Sequence, residues 1–416
     1  MLSAKIISVG NEILIGQITN TNATFICEKL FSVNIGVRKI VSIGDLEKDL
    51  FDELSDSEKF YDITIITGGL GPTSDDITKS VLVEFFNDKL VFNEKIFENI
   101  ENIFKSRNIK TPVINKEQAM VPSDAKIIWN RLGTAPGFCF EKNDKLFIAL
   151  PGVPYEMEEM MNNSVIPMIT EKFVDKVEFI QKSKTFLTIG ISESSLAELI
   201  GNINELVGEN YLAFLPSLIG VRLRVDVKAK TNQEADEVIE SIERKLHAKI
   251  GEYIYGVNND LLEQIVGNLL KDKNLTLATA ESCTGGLLAS KITDISGSSQ
   301  YFLGGVNVYS NESKIKILGV NDSTIREKGA VSEETAIEMA YKVRLLFNSD
   351  IGVSITGIAG PEGGTDEKPV GLVYIGYSDN NKTFTRKFYL GHFRLRNKTR
   401  AAYYALNIIR EEILKY

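Results

Sequence analysis

Apolar residues recur along this chain at two spacings, and the switches between them mark out its elements. Runs 4–9, 37–43, 63–67 and 146–150 are short and rich in β-branched or other apolar residues, as strands of a covered sheet are. Between them, 22–30, 75–86 and 155–168 repeat apolar positions at helical spacing. Asp75 and Asp76, just after Pro72 and Thr73, supply an N-cap and negative charge at a helix start. Such alternation predicts a mainly parallel sheet with covering helices over 1–168. The rhythm changes over 169–257. There 185–189 reads as a strand, 192–200 as a helix capped by Ser192, 220–229 as a half-buried antiparallel strand and 233–246 as an amphipathic helix. Residues 258–416 return to alternation, with strands at 275–280, 304–309, 350–356 and 370–377 and helices at 261–271, 287–292, 333–347 and 397–414. The expected architecture is a doubly wound α/β domain, a small α+β module and a second α/β domain.

Composition narrows the chemistry. A length of 416 residues favours two or three cores over one, and 43% apolar with 25% charged residues is a globular balance. A net charge of −9 with interspersed signs argues against nucleic acid as the main partner. No apolar run approaches a membrane span, and the first residues lead into a polar turn, so they read as a strand and not a signal peptide. Three scattered cysteines (Cys27, Cys139, Cys283) fit a reducing cytoplasm without a disulfide framework. Only His247 and His392 are available as imidazoles, so a zinc site is nearly excluded and any metal falls to carboxylates, hydroxyls and substrate phosphates.

Two glycine-rich turns carry the candidate chemistry. In the first, Gly68, Gly69 and Gly71 allow close backbone approach to a phosphate, and Thr67 and Thr73 offer hydroxyls beside Pro72. Asn11 and Glu12 follow the first strand and are placed at the same sheet edge. Glu12, Asp75 and Asp76 form a candidate set for a divalent ion bridging a pyrophosphate. Pro151 and Gly152, in the 150–156 turn, close the pocket. The second turn, Glu281-Ser282-Cys283-Thr284-Gly285-Gly286, sets a small nucleophile at a strand-to-helix corner, where Gly285 and Gly286 amides favour negative charge. With no histidine in register, Tyr309 and Lys314 are the candidate activators of Ser282. Thr356 and the 357–364 loop add a hydroxyl and more amides, and Arg394, Arg396 and Arg400 are rival phosphate ligands.

Gly10-Asn11-Glu12-Ile13-Leu14, the 67–76 run and Pro151-Gly152-Val153-Pro154 closely resemble the molybdopterin-binding-like domain of the CinA (competence/damage-inducible protein A) family. The 279–286 run, Tyr309-Ser310-Asn311 with Lys314, and 354–364 resemble its C-terminal domain, which is similar to nicotinamide mononucleotide (NMN) deamidase. The resemblance spans nearly the whole chain and implies a KH-like middle module, although that module lacks a Gly-x-x-Gly loop and shows no marked basic excess. It implies two activities: deamidation of NMN without a cofactor, and metal-dependent hydrolysis of ADP-ribose to AMP and ribose 5-phosphate. Some relatives bind a pterin instead, which leaves a non-catalytic binding module as the alternative for the N-terminal domain. By motif, Ser282 is then the nucleophile, Tyr309 and Lys314 its activators, Thr356 a substrate or oxyanion contact, and Thr284, Gly285, Gly286, Gly357, Gly360 and an arginine the substrate seat. The resemblance also implies a homodimer.

Overall fold

The computed structural model describes residues 2–73, 75–106, 108–173 and 179–415. The chain divides into two compact units, Met1–Lys182 with Lys228–Asp236, and Ser183–Val227 with Glu237–Tyr416. No described helix is long and apolar enough to cross a membrane.

In the first unit, β1 (Ser3–Val9), β2 (Gly36–Ile43) and β3 (Ile63–Thr67) precede a separate two-stranded antiparallel sheet, β4 (Leu90–Phe92) with β5 (Met120–Pro122). β6 (Lys126–Ile128), β7 (Gly137–Lys142) and β8 (Lys145–Leu150) complete a six-stranded sheet in the order β2-β1-β3-β8-β7-β6. Pairing is parallel from β2 to β8 and antiparallel beyond. Both faces are covered. Ala4, Ile6, Ile63 and Ile65 face one apolar cluster, while Ile7, Val9 and Ile66 face another. That accounts for apolar residues on both faces of β1 and β3.

The middle sheet comprises β9 (Ile180–Thr188), β10 (Tyr211–Pro216), β11 (Val221–Ala229) and β12 (Ile254–Val257), in the order β10-β11-β9-β12. β11 buries alternate residues, as its period-two pattern predicts. The last sheet orders β13 (Leu277–Glu281), β14 (Phe302–Asn307), β15 (Ile351–Gly357), β16 (Leu372–Ser378) and β17 (Thr383–Tyr389) as β14-β13-β15-β16-β17. Its first three strands are parallel and the last two antiparallel.

Several boundaries depart from the sequence reading. The helix expected at 75–86 starts at Thr78, because the Asp76 carboxylate accepts hydrogen bonds from Thr73 N (2.9 Å) and Oγ1 (2.5 Å) instead of capping it. The helix expected at 155–168 opens with Pro154 at its first turn, takes one π-turn at Met161–Val165 and runs on to Phe173. The last helix begins at Arg394, three residues earlier than expected.

Candidate functional sites

Parallel strands of an α/β sheet end at a common edge, where turns from different strands meet. In the last domain that edge holds a cavity of about 240 Å³ lined by Ser282, Tyr309, Lys314, Thr356, Gly360 and Arg394, among others. Ser282 follows β13, is 7% exposed and anchors its amide on Ile355 O at 3.0 Å. Lys314 lies on the short helix Asn311–Lys316, whose Ser310 cap accepts from Ser313 N at 3.0 Å. That helix delivers the lysine inward. It is 1% exposed, with Nζ 3.0 Å from Ser282 Oγ, 2.9 Å from Val308 O and 3.3 Å from Tyr309 O.

Burial pushes the Lys314 ammonium down to about 8. A neutral amine has two hydrogens and one lone pair. With both hydrogens donated to the Val308 and Tyr309 carbonyls, the lone pair is left for the Ser282 hydroxyl. Cys283 lines the same cavity, but burial raises its thiol to about 12, so it stays protonated and a poor nucleophile. Of the two, Ser282 is the one with an amine within hydrogen-bond reach.

The other expected residues divide. The Tyr309 hydroxyl accepts a hydrogen bond from Arg394 Nη2 at 3.1 Å, so what Tyr309 gives the dyad is its backbone carbonyl. Thr356 lies on the wall and donates to Ala330 O at 2.6 Å. Gly357 and Gly360 are also on the wall. Of the three arginines, only Arg394 lines the cavity, fixed by its 2.8 Å bond to Gly360 O. The Arg396 guanidinium lies over the Phe393 ring at 5.1 Å, and Arg400 donates to Leu390 O at 3.0 Å.

Thr284, Gly285 and Gly286 are not among the lining residues. The reason is a carboxylate the sequence reading passed over. Glu281, 1% exposed, accepts from Leu288 N at 3.0 Å and Ala289 N at 2.8 Å, so the following helix's N-terminus is already capped. The anion seat expected at Gly285 and Gly286 is corrected accordingly. Glu362, the one acidic residue lining the cavity among the described residues, also goes unmarked in the sequence reading.

The first domain carries a larger cavity, about 720 Å³, at the carboxyl ends of β1, β3 and β8. Glu12, Thr67, Gly68, Gly69, Gly71, Pro72, Asp75, Asp76, Pro151 and Gly152, all expected there, line it. Gly68 has φ +104°, and a Cβ there would sit 2.2 Å from Val9 O, so glycine is what lets the β3 turn close against β1. Thr67 spends its proton on Pro151 O (3.0 Å) and accepts from Asn22 Nδ2 (2.9 Å), so it ties turns together instead of presenting a free hydroxyl. Asn11 and Thr73 are not lining residues; the Asn11 amide bonds Asp45 at 3.2 Å and Thr73 serves Asp76.

Glu12, Asp75 and Asp76 share this cavity but do not converge. Among the described residues, no three acidic, histidine or cysteine side chains are placed to hold an ion. The set expected to bind a divalent metal does not fit as a protein-built cage.

Each of the two α/β domains thus carries a cavity at its strand ends, and one of them holds a buried serine–lysine pair. Family models match residues 5–171 ("Probable molybdopterin binding domain"), 183–256 ("Damage-inducible protein CinA KH domain") and 259–413 ("CinA C-terminal domain"). The chain is 44% identical to a CinA-like protein of Chloroherpeton thalassium over 98% of both chains, and 43% identical to one of Kosmotoga olearia over 99% of both. A crystal structure of competence/damage inducible protein CihA from Agrobacterium tumefaciens covers 36% of this chain and 92% of its own, at 36% identity and a TM-score of 0.35. The chain belongs to the CinA family, with a molybdopterin-binding-type domain, a KH-like module and a C-terminal α/β domain.

Proposed function

We propose that the C-terminal domain is an amidohydrolase that converts NMN to nicotinate mononucleotide and ammonia. The observation that carries this reading is the 3.0 Å contact between Ser282 Oγ and a buried Lys314 whose pKa is lowered to about 8. Neutral Lys314 takes the serine proton as Oγ attacks the carboxamide carbon. Ammonia leaves with that proton, and water then hydrolyses the ester to free nicotinate mononucleotide. Arg394 holds the 5′-phosphate. Ammonia release from NMN tests the reading: Ser282→Ala is expected to lose at least about 1000-fold in kcat. Equal release by wild type and variant overturns it.

For the N-terminal domain we propose ADP-ribose hydrolysis to AMP and ribose 5-phosphate. A divalent ion would supply charge neutralisation at the pyrophosphate. Because the carboxylates Glu12, Asp75 and Asp76 are not gathered, a second reading is favoured by a specific observation: a nucleotide- or pterin-binding module without turnover. Calorimetry with ADP-ribose and with a pterin, alongside an AMP assay with a divalent ion added, separates the two.

A further inference from the structure

The larger cavity contains a carboxylate that the phosphate-seat reading does not use. Glu156 lies in the first turn of the helix Pro154–Met160 and is 8% exposed. A carboxylate there commonly accepts its own helix's amides. Here Asn130 Nδ2 instead donates to Glu156 Oε2 at 2.7 Å. Asn130 is itself fixed, donating to Ala135 O at 2.9 Å and accepting from Gly133 N at 2.8 Å. No hydrogen bond joins the second oxygen, Oε1, to a described residue, and Glu156 lines the cavity.

Gly133 shows that the carboxylate's place is built into the chain. A Cβ at that position would sit 2.2 Å from Glu156 Cδ and Oε2 and 2.4 Å from Oε1, so glycine lets the carboxylate lie where it does, and any larger residue would push it aside. A buried acid on the wall of this glycine-lined cavity, with one oxygen clamped by Asn130 and the other not hydrogen-bonded to a described residue, is placed to orient a nucleophilic water. The chain's two histidines, His247 and His392, do not line this cavity.

We infer that Glu156 is the general base of the N-terminal site, accepting a proton at Oε1 from the water that attacks the substrate pyrophosphate. This rests on the ADP-ribose hydrolysis reading above. Water oxygen bonds to one phosphorus and the bond from that phosphorus to the bridging oxygen breaks. The bridging oxygen leaves with the electron pair on the second phosphate, and Glu156 returns its proton to solvent.

The test uses the full chain, ADP-ribose and an added divalent ion, with affinity from calorimetry and turnover from AMP formation. Glu156→Gln keeps an oxygen for Asn130. It is expected to bind ADP-ribose within about threefold of wild type and to lose about 100-fold or more in kcat. Gly133→Ala should lose kcat similarly with its glutamate intact, because only the far end of that side chain must move. Unchanged thermal unfolding of both variants excludes loss of fold. A kcat within about threefold of wild type in Glu156→Gln, or weakened affinity at unchanged kcat, overturns the base assignment and leaves the hydrolysis reading standing. Binding without product by wild type overturns both.

Discussion

Lys314 must be neutral to accept the serine proton, so the rate of NMN deamidation should follow its titration. An ordinary lysine, near 10.5, is about 0.03% neutral at pH 7, whereas one held at about 8 is about 9% neutral. Burial therefore raises the competent population about 300-fold. Between pH 6 and pH 8 that population climbs from about 1% to about 50%, so kcat should rise about 50-fold and level off above pH 9. The assay is ammonia release at saturating NMN across that range, for wild type and for Lys314→Arg, whose guanidinium stays charged throughout. The variant should lack the rising limb and retain less than about 1% of wild-type kcat. A flat wild-type profile, or a limb that survives in Lys314→Arg, refutes the assignment of the lysine as base.

Other outcomes follow from the same geometry. Arg394→Ala should raise KM for NMN about 10- to 100-fold, while Arg396→Ala, whose guanidinium rests on Phe393, should leave it near wild type; steady-state kinetics on the pair checks this. Glu281→Ala removes the acceptor for two helix-terminal amides and should cost about 1–2 kcal/mol in urea unfolding. Lys314 holds its proton less tightly folded than unfolded, so folding stability should rise as pH climbs from about 8 toward 10.5. Denaturation at pH 7 and pH 10 should therefore show wild type gaining up to about 3 kcal/mol relative to Lys314→Met. A Cβ at position 352 would lie 2.2 Å from Ala340 O, so Gly352→Ala should lower stability by about 1–3 kcal/mol in the same unfolding assay.

What the sequence made legible was local. β1, β3 and β13 announce themselves as short runs dominated by apolar and β-branched residues, as strands buried on both faces are, and β11 because a half-buried strand alternates. The edge strand β17, TFTRKFY, was not read, since an exposed edge needs no such regularity. The glycine turn at 68–71 was placed at a cavity from its residues alone, yet the reason for Gly68, the approach of Val9 O, is a contact between distant strands. Ser282 and Lys314 were paired from motif. Their separation, and the burial that shifts the lysine, come from a short helix packing against a strand end 32 residues away. Charge was the least legible. Acids suited to a metal turned out dispersed, Glu281 proved a helix cap, and Glu156 drew no attention because nothing in the sequence shows its tie to Asn130.

The most direct probe of the Ser282–Lys314 pair is mass spectrometry of the peptide containing Ser282 after acid quench during NMN turnover. A nicotinoyl-nucleotide ester on Ser282 in wild type, absent from Ser282→Ala, is the predicted result. Turnover of NMN by wild type with Ser282 unmodified at every quench time, together with undiminished turnover by Ser282→Ala, would contradict it.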